Sequence, residues 1–329
     1  MERKYIFEAG LNVFTSYKTI VSVEHLAKLS EYDNHQYHIY GVLSYNKLFF
    51  RKEKTKITSK GIMVCIFTII DNKEVEYDLP ILKIADGLDY SKVDIIMNYP
   101  YTFVTLSIKD KEFLKLHPEI VNTEVRVYAQ DLFNISASSL IDKQAFEVLY
   151  IGQAYGKEGH RTAFDRLESH STLQKILTDY QSKHPDRHLY ILLLEITPNL
   201  LMSFDGVSKK YTKSDAESEQ HMKDVICNLP KNEQIINITE AALINYFKPE
   251  YNVNFVENFP DERHKGYKQY FDLDYNSLVV ELDMEFDKPP VVQLYTQTNR
   301  IDSSFDFIKY KLYNDDNRLS MYEIFKNND

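Results

Sequence analysis

Helical periodicity is concentrated in the middle third of this 329-residue chain, with one further short amphipathic helix predicted at 24–29. On either side, β-branched and aromatic residues cluster in short runs bounded by turn residues, which is typical of strands. Before the helical part the clearest runs are YHIYGVL (37–43), IMVCIFTII (62–70) and TFVTLSI (102–108), and after it they are SLVVELDME (277–285), VVQLYTQT (291–298) and FDFIKYKL (305–312). This segregation of strands and helices predicts an α+β fold.

Three regions follow from this pattern. We predict a β-rich N-terminal domain over residues 1–135, an α/β middle domain over 136–258, and a β-rich C-terminal region over 259–329. Within the middle domain the periodicity predicts strands at 146–151 and 189–196 and helices at 162–180, 215–229 and 239–247. Whether the C-terminal strands form their own domain or complete the N-terminal one is open at this level.

The apolar runs and the cysteines exclude several classes of protein. The longest apolar run, residues 61–70, is about half of what a membrane helix needs. The first 24 residues also lack the continuous apolar core of a secretory signal. Cys65 and Cys227 are too few for a disulfide framework or a cysteine zinc site. We therefore expect a cytoplasmic protein without a membrane partner.

The net charge argues against a protein that binds nucleic acid through its overall electrostatic field. Lysine and arginine number 39 against 49 aspartates and glutamates, a net charge of −10. Any nucleic-acid surface must therefore be a local patch, and Lys157, His160, Arg161 and Arg166 form one candidate. The nine glycines build no phosphate-cradling loop.

Four short features occur in order in the middle region: LYIGQA (149–154), DRLESH (165–170), TEAALI (239–244) and FKPEYN (247–252). Each has an ordinary explanation when taken alone. Gly152 suits a tight turn, and Arg166 and His170 share a solvated helix face. Glu240 lies at a predicted helix start, where the helix dipole stabilises a carboxylate, and Asn252 suits a turn.

Together these residues suit phosphodiester hydrolysis, which needs a deprotonated nucleophile, shielding of phosphate charge and help for the leaving group. A lone carboxylate such as Glu240 is the way proteins hold one Mg²⁺ or Mn²⁺ that keeps its waters and a substrate phosphate. Arg166 offers a planar fork for phosphate oxygens. Either Tyr150 or His170 can relay the proton.

At these residues the sequence resembles the GIY-YIG nuclease family, over roughly residues 138–254. LYIG resembles the second half of the family's name motif, and DRLESH resembles its helix segment with arginine followed four residues later by histidine. The resemblance implies a small α/β module, with a three-stranded antiparallel sheet flanked by helices, that cleaves DNA with one divalent metal ion.

The resemblance also implies roles for single residues. Tyr150 matches the general base or water-orienting tyrosine, and Gly152 the turn glycine. Arg166 matches the phosphate-binding arginine, and His170 the family's histidine. Glu240 matches the single metal ligand and Asn252 the asparagine that steadies the site.

Two departures from the family pattern stand out. The first motif is expected shortly before Tyr150, yet that stretch reads Ala137-Ser138-Ser139 and lacks the first tyrosine. Tyr155 is an alternative, supported by its proximity in sequence alone. The step from Tyr150 to the arginine is also longer than usual, which leaves Arg161 as a second candidate phosphate ligand. We favour Arg166 because His170 follows it at i+4, and we expect Lys157 and Arg161 to contact the nucleic-acid backbone.

The sequence thus predicts a metal-dependent endonuclease acting on DNA. Its flanking β-rich regions would supply target recognition, a protein partner or an oligomer contact. The alternative is a catalytically weak GIY-YIG-like fold that serves as a nucleic-acid or protein interaction module. DNA versus RNA, strandedness and sequence specificity stay open.

Overall fold

The computed structural model describes residues 2–70, 72–140, 144–154, 171–206, 208–286, 292–301 and 305–323, with the backbone alone for 137–140. In chain order the strands are β1 (Glu8–Ser22), β2 (Ile39–Asn46), β3 (Phe49–Phe50), β4 (Lys56–Thr58), β5 (Gly61–Met63), β6 (Cys65–Ile70), β7 (Lys73–Asp78), β8 (Val93–Ile96), β9 (Phe103–Ile108), β10 (Glu124–Tyr128), β11 (Gln144–Gln153), β12 (Arg187–Ser203), β13 (Ser277–Asp283), β14 (Val292–Tyr295), β15 (Arg300–Ile301) and β16 (Phe305–Lys311). The helices are α1 (Leu26–Ser30), α2 (Lys111–Leu116), α3 (Ala129–Leu140), α4 (Ser171–Lys183), α5 (Asp215–Cys227), α6 (Asn232–Phe247) and α7 (Gln269–Asp272).

The centre of the fold is an eight-stranded mixed sheet in the order β15-β14-β11-β2-β12-β1-β13-β16. β2 is antiparallel to both β11 and β12, and β1 pairs antiparallel with β12 along its whole length. β1 is parallel to β13, and β11 is parallel to β14. Strands from all three predicted regions are therefore hydrogen bonded in one sheet.

The prediction of a separate three-stranded sheet in the middle region is wrong. Three adjacent antiparallel strands are present, β11-β2-β12, but the central one comes from the N-terminal region and the sheet continues on both sides. The physical reason is that a buried strand must pair both of its backbone edges, and the partners can come from any part of the chain. The chain is a mixed α/β protein with one large sheet.

Both faces of this sheet are covered, which the apolar run of β12 illustrates. Tyr190, Leu192 and Leu194 alternate with Leu189, Ile191 and Leu193, and all six are buried. The first set packs in the core that contains α6, and the second in the core that contains α4. A stretch of strand that is buried on both faces is apolar at every position, which is what residues 189–194 show.

A second hydrophobic core lies in the insert, which we define as residues 47–140, between β2 and β11. It contains Leu48, Phe50, Ile66, Val104 and Phe133, among others. The insert carries two three-stranded sheets, β10-β9-β8 and β3-β6-β7, and the β4-β5 pair. Its length separates β2 from β11 in sequence although the two strands are neighbours in the sheet.

The helices of the middle region confirm most of the predicted pattern. Helix α4 buries Leu173, Ile176 and Tyr180, while the first turns of the helix predicted over 162–180 lie outside the described residues. Helix α5 begins with a capping box between Ser214 and Glu217. No helix in the described part of the chain is long and apolar enough to cross a bilayer.

The predicted start of the third helix is wrong. Helix α6 begins at Asn232 rather than near residue 239, so Glu240 lies in its middle and not at its dipole-positive end. Asn232, Asn237 and Thr239 are weak helix formers by propensity, yet Ile235 and Ile236 are buried, and packing outweighs propensity there. The predicted end is confirmed: Lys248 has φ 49°, a left-handed residue that ends the helix before Pro249.

Candidate functional site

The C-terminal half of β11 carries Tyr150 and Gly152. Its register against β2 shifts between Val148 and Tyr150, so that Leu149 and Tyr150 both pack in the core beneath α4. A bulge of this kind turns two successive side chains to one face. Within the described residues, no strand pairs with the outer edge of β11 beyond Glu147, because β14 pairs only with residues 144–147.

Tyr40 on β2, which the sequence analysis did not single out, packs against Tyr150. Their ring centroids are 5.8 Å apart at an interplanar angle of 41°, and Tyr40 is fully buried. Tyr40 is paired across the strands with Gly152. Tyr40 belongs to the run YHIYGVL, which predicted the strand β2.

Gly152 is needed for this pairing of rings. A Cβ at this position would lie 2.8 Å from Cε1 of Tyr150 and 2.9 Å from Cε1 of Tyr40. Contacts this short do not occur between carbon atoms without movement of one partner. The glycine is thus required by a close approach of two aromatic side chains.

Asn252 binds the unpaired edge of β11 through its side-chain amide. Its Oδ1 accepts from the Ile151 N–H at 2.9 Å, and its Nδ2 donates to the Ile151 carbonyl at 2.8 Å. The Tyr251 N–H also donates to the Leu149 carbonyl at 3.1 Å. The segment after α6 therefore takes the place of a strand partner, and Asn252 holds it to β11.

Glu240 reaches the same strand from α6. Gln153 Nε2 donates to Glu240 Oε2 at 2.6 Å and also to Asn237 Oδ1, one turn earlier on the helix. Asn237 in turn donates from Nδ2 to the Gly266 carbonyl at 3.3 Å. Glu240 is half-buried and approaches β11 from the face covered by α6, whereas Tyr150 packs on the face covered by α4.

His38 lies just before β2, beside the end of β11. Its carbonyl accepts from the Ala154 N–H at 2.8 Å, and its Nδ1 accepts from the Ile196 N–H at 3.1 Å. Burial lowers the pKa of His38, opposed by the charge of Glu195. Since Nδ1 is an acceptor, the imidazole is neutral at neutral pH with its proton on Nε2.

The cationic part of the predicted site lies outside the described residues. This applies to Arg166, His170, Lys157 and Arg161, and to the alternative tyrosine, Tyr155. Their roles stay predictions. The structure brings together Tyr150, Gly152 and Asn252 on one strand edge, with Glu240 joined to that strand through Gln153.

The metal donors in the described part of the chain are sparse. No group of three or more histidine, cysteine, aspartate or glutamate residues there could hold a metal ion. At the candidate site the donor is the Glu240 carboxylate, with the Asn237 amide oxygen close by through Gln153. One carboxylate suits Mg²⁺, which keeps several waters, and does not suit zinc, which needs three or four protein ligands.

Comparison of this chain with protein-family models, with curated proteins and with solved structures found no match in any of the three. The resemblance to GIY-YIG nucleases therefore rests on the residues of this chain alone.

Proposed function

We propose that this protein is a metal-dependent endonuclease of the GIY-YIG type that hydrolyses phosphodiester bonds in DNA. The observation that supports it best is the pair of hydrogen bonds between Asn252 and Ile151. These bonds join the fourth sequence feature to the first, and the Gln153–Glu240 bond joins the third to the same strand. Three of the four features, each ordinary when separate, are thus joined at one strand, and DRLESH lies outside the described residues.

Tyr40 supplies the tyrosine that the family pattern lacks. A first motif shortly before the second would form a hairpin with it, so its tyrosine would lie on the adjacent antiparallel strand. Here β2 is that adjacent strand, and Tyr40 packs directly on Tyr150. In this proposal the insert separates the two motifs in sequence without changing their pairing in the sheet, and Tyr155 is not needed.

The roles in this proposal are those that the resemblance implies, although Tyr150 and Glu240 approach β11 from opposite faces. Tyr150 orients the attacking water or accepts its proton, with Tyr40 holding its ring in place. Arg166 or Arg161 pairs with the nonbridging phosphate oxygens. Glu240 would hold one Mg²⁺ or Mn²⁺, which supplies Lewis-acid stabilisation of the phosphate and the leaving oxygen. Gln153 positions the Glu240 carboxylate by donating to Oε2.

The test is Glu240→Gln in the full chain. The amide keeps an oxygen that accepts from Gln153 but removes the charge that binds a cation. Cleavage of single-stranded DNA, double-stranded DNA and RNA is measured with Mg²⁺, Mn²⁺ and chelator. We expect chelator-sensitive cleavage of DNA that falls by about a hundredfold or more in this variant.

Glu233→Gln is the matched control, because Glu233 is an exposed carboxylate in the first turn of the same helix. It should cleave like the unmodified protein. Equal cleavage by the Glu240 variant would exclude Glu240 as the metal ligand. Cleavage of RNA alone would exclude DNA as the substrate.

A nucleic-acid or protein interaction module is the second candidate function. Two observations favour it: the described part of the candidate site contributes a single carboxylate as metal donor, and the net charge is −10. DNA or RNA binding without cleavage under every metal condition would support this second function and contradict the first.

A further inference from the structure

One face of the β10-β9-β8 sheet in the insert carries aromatic side chains in contact with solvent. Alternate residues of β9 are buried in the core of the insert, and Phe103, Thr105 and Ser107 point to the opposite face. Directly opposed residues of neighbouring strands share a face, so Arg126 and Tyr128 of β10 lie beside them. All five side chains are exposed or half-buried. Rings grouped on an open face indicate an interaction surface.

Five rings follow one another across this face and the loop before it. The ring centroids of Tyr99 and Tyr101 are 6.1 Å apart, and one residue separates Tyr101 from Phe103. The Phe103 and Tyr128 centroids are 5.7 Å apart, and those of Tyr128 and His25 are 5.9 Å apart. Tyr99, at the start, is 86% exposed. We call these five residues, Tyr99, Tyr101, Phe103, Tyr128 and His25, the aromatic row.

Three cationic side chains lie along the aromatic row. Lys52 Nζ is 5.8 Å from the centre of the Tyr101 ring, and Arg126 Cζ is 4.5 Å from the centre of the Phe103 ring. Lys47 lines the same cavity as Tyr128. Within the described ranges, none of the three cations forms an ion pair, and Lys52 and Arg126 are exposed. Their charge is therefore available to an anionic ligand that lies on the rings.

The carboxylates of this sheet face lie at its far end. Glu124 and Asp94 are both opposite Ser107 rather than Phe103, and Asp94 forms an ion pair with Lys109. The middle of the aromatic row is therefore cationic, although the net charge of the chain is −10. At the end of the row each carboxylate faces a histidine, as Asp131 does with His25 and Glu24 with His188.

We propose that the aromatic row binds single-stranded nucleic acid, with bases stacked on its rings and backbone phosphates on the three cations. Every base has a flat π face, and aromatic rings combined with lysine and arginine hold unpaired strands without reading their sequence. Arg126 covers one face of the Phe103 ring, so its guanidinium plane is the stacking surface there. A duplex keeps its bases stacked inside and cannot use the rings. This proposal does not depend on cleavage at Glu240.

The test is binding by the full chain, in chelator so that no strand is cut. Fluorescence anisotropy is measured with short labelled strands of dT, dA and U, with the dA·dT duplex, and with a polyglutamate peptide that supplies negative charge without bases. We expect the single strands to bind at least about tenfold more tightly than the duplex or the peptide. With three cations on phosphates, the logarithm of the association constant should fall against the logarithm of salt concentration with a slope of about −2.

Three variants separate stacking from charge. Tyr99→Leu removes an exposed ring but keeps an apolar side chain, so strand binding should weaken by about fivefold while the salt slope and the Tm stay the same. Arg126→Lys keeps the charge and loses the planar group, so it should weaken binding at an unchanged slope. Lys52→Gln removes one phosphate contact, so it should weaken binding and make the slope shallower by about 0.7.

The matched control is Lys309→Gln combined with Tyr322→Leu. This lysine also lies over a tyrosine ring, 5.6 Å from its centre, but outside the insert, so the control should bind like the unmodified protein. The proposal is overturned by a duplex or peptide bound as tightly as the single strands, by an equal loss in the control, by unchanged binding in the Tyr99 and Arg126 variants, or by no binding of any strand. Strand binding in chelator with no cleavage in Mg²⁺ would support this proposal and contradict the endonuclease.

Discussion

Asn252→Ala tests how far one side chain holds the candidate site together. The alanine removes the acceptor for the Ile151 N–H and the donor to the Ile151 carbonyl, at 2.9 and 2.8 Å. Ile151 is 5% exposed, and β14 does not extend to this part of β11. The variant therefore leaves two backbone groups on a buried strand without their partners.

The magnitude follows from those two bonds. An unsatisfied buried polar group costs about 1–3 kcal/mol, which gives about 2–6 kcal/mol for both. Asn252 itself is half-buried, so water can reach part of the space that the amide leaves. We therefore expect a loss of about 2–3 kcal/mol in the free energy of unfolding, at the lower end of the range.

The assay is urea unfolding at 25 °C, combined with hydrogen exchange at the Ile151 amide. The midpoint should fall at an unchanged slope, and the Ile151 amide should exchange faster. Asn252→Asp should not rescue stability, because its second oxygen would face the Ile151 carbonyl. Asn254→Ala, at an exposed position two residues later, is the control. A difference below about 0.5 kcal/mol between the two alanine variants, with unchanged exchange, would refute the reasoning.

Three further predictions concern packing and charge. Arg318→Met leaves the Glu8 carboxylate, 1% exposed, without the guanidinium 2.5 Å away, and should cost about 3–5 kcal/mol in urea unfolding. Gly152→Ala forces a Cβ to within 2.8 Å of the Tyr150 ring and should cost about 1–3 kcal/mol, seen as a lower Tm. Burial raises the pKa of Asp274, but Arg318 and neighbouring hydrogen bonds lower it further, so its net pKa is below the ordinary value. Its stabilisation is thus present above about pH 4 and lost as the pH falls through the lowered pKa, and Asp274→Asn should flatten the acid part of the stability profile.

Each of these has a result that would contradict it. Arg263→Met is the control for Arg318→Met, because the Arg263 side chain is 87% exposed, and it should change the free energy of unfolding by less than about 0.5 kcal/mol. A loss as small as this for Arg318→Met would argue against a buried ion pair. An unchanged Tm for Gly152→Ala would mean that the two rings are free to separate. Parallel stability profiles for the Asp274 variant and the unmodified protein between pH 5 and pH 2 would rule out the linkage.

Local sequence signals predicted the candidate-site residues on β11 and after α6, and the contact of Tyr40 with Tyr150 depends on a non-local strand pairing. Tyr150, Gly152 and Asn252 follow from short motifs whose spacing is set by one strand and one helix end. Tyr40 does not, because the insert separates β2 from β11, and strand pairing across such a distance leaves no fixed spacing to search for. Glu240 was located by its motif, but its position in mid-helix was not, since burial of Ile235 and Ile236 extends α6 beyond what propensity indicates.

The sequence alone determined the types of most elements, because periodicity, proline and capping residues act over a few positions. The runs at 102–108 and 305–312 and the end of α6 at Lys248 are examples. Only the tertiary structure decided strand order, the shared sheet of the N-terminal and C-terminal regions, and the contact of Tyr40 with Tyr150. The reason is that a strand's two backbone edges are chemically alike in every sequence, so the choice of partner depends on how all buried faces pack at once.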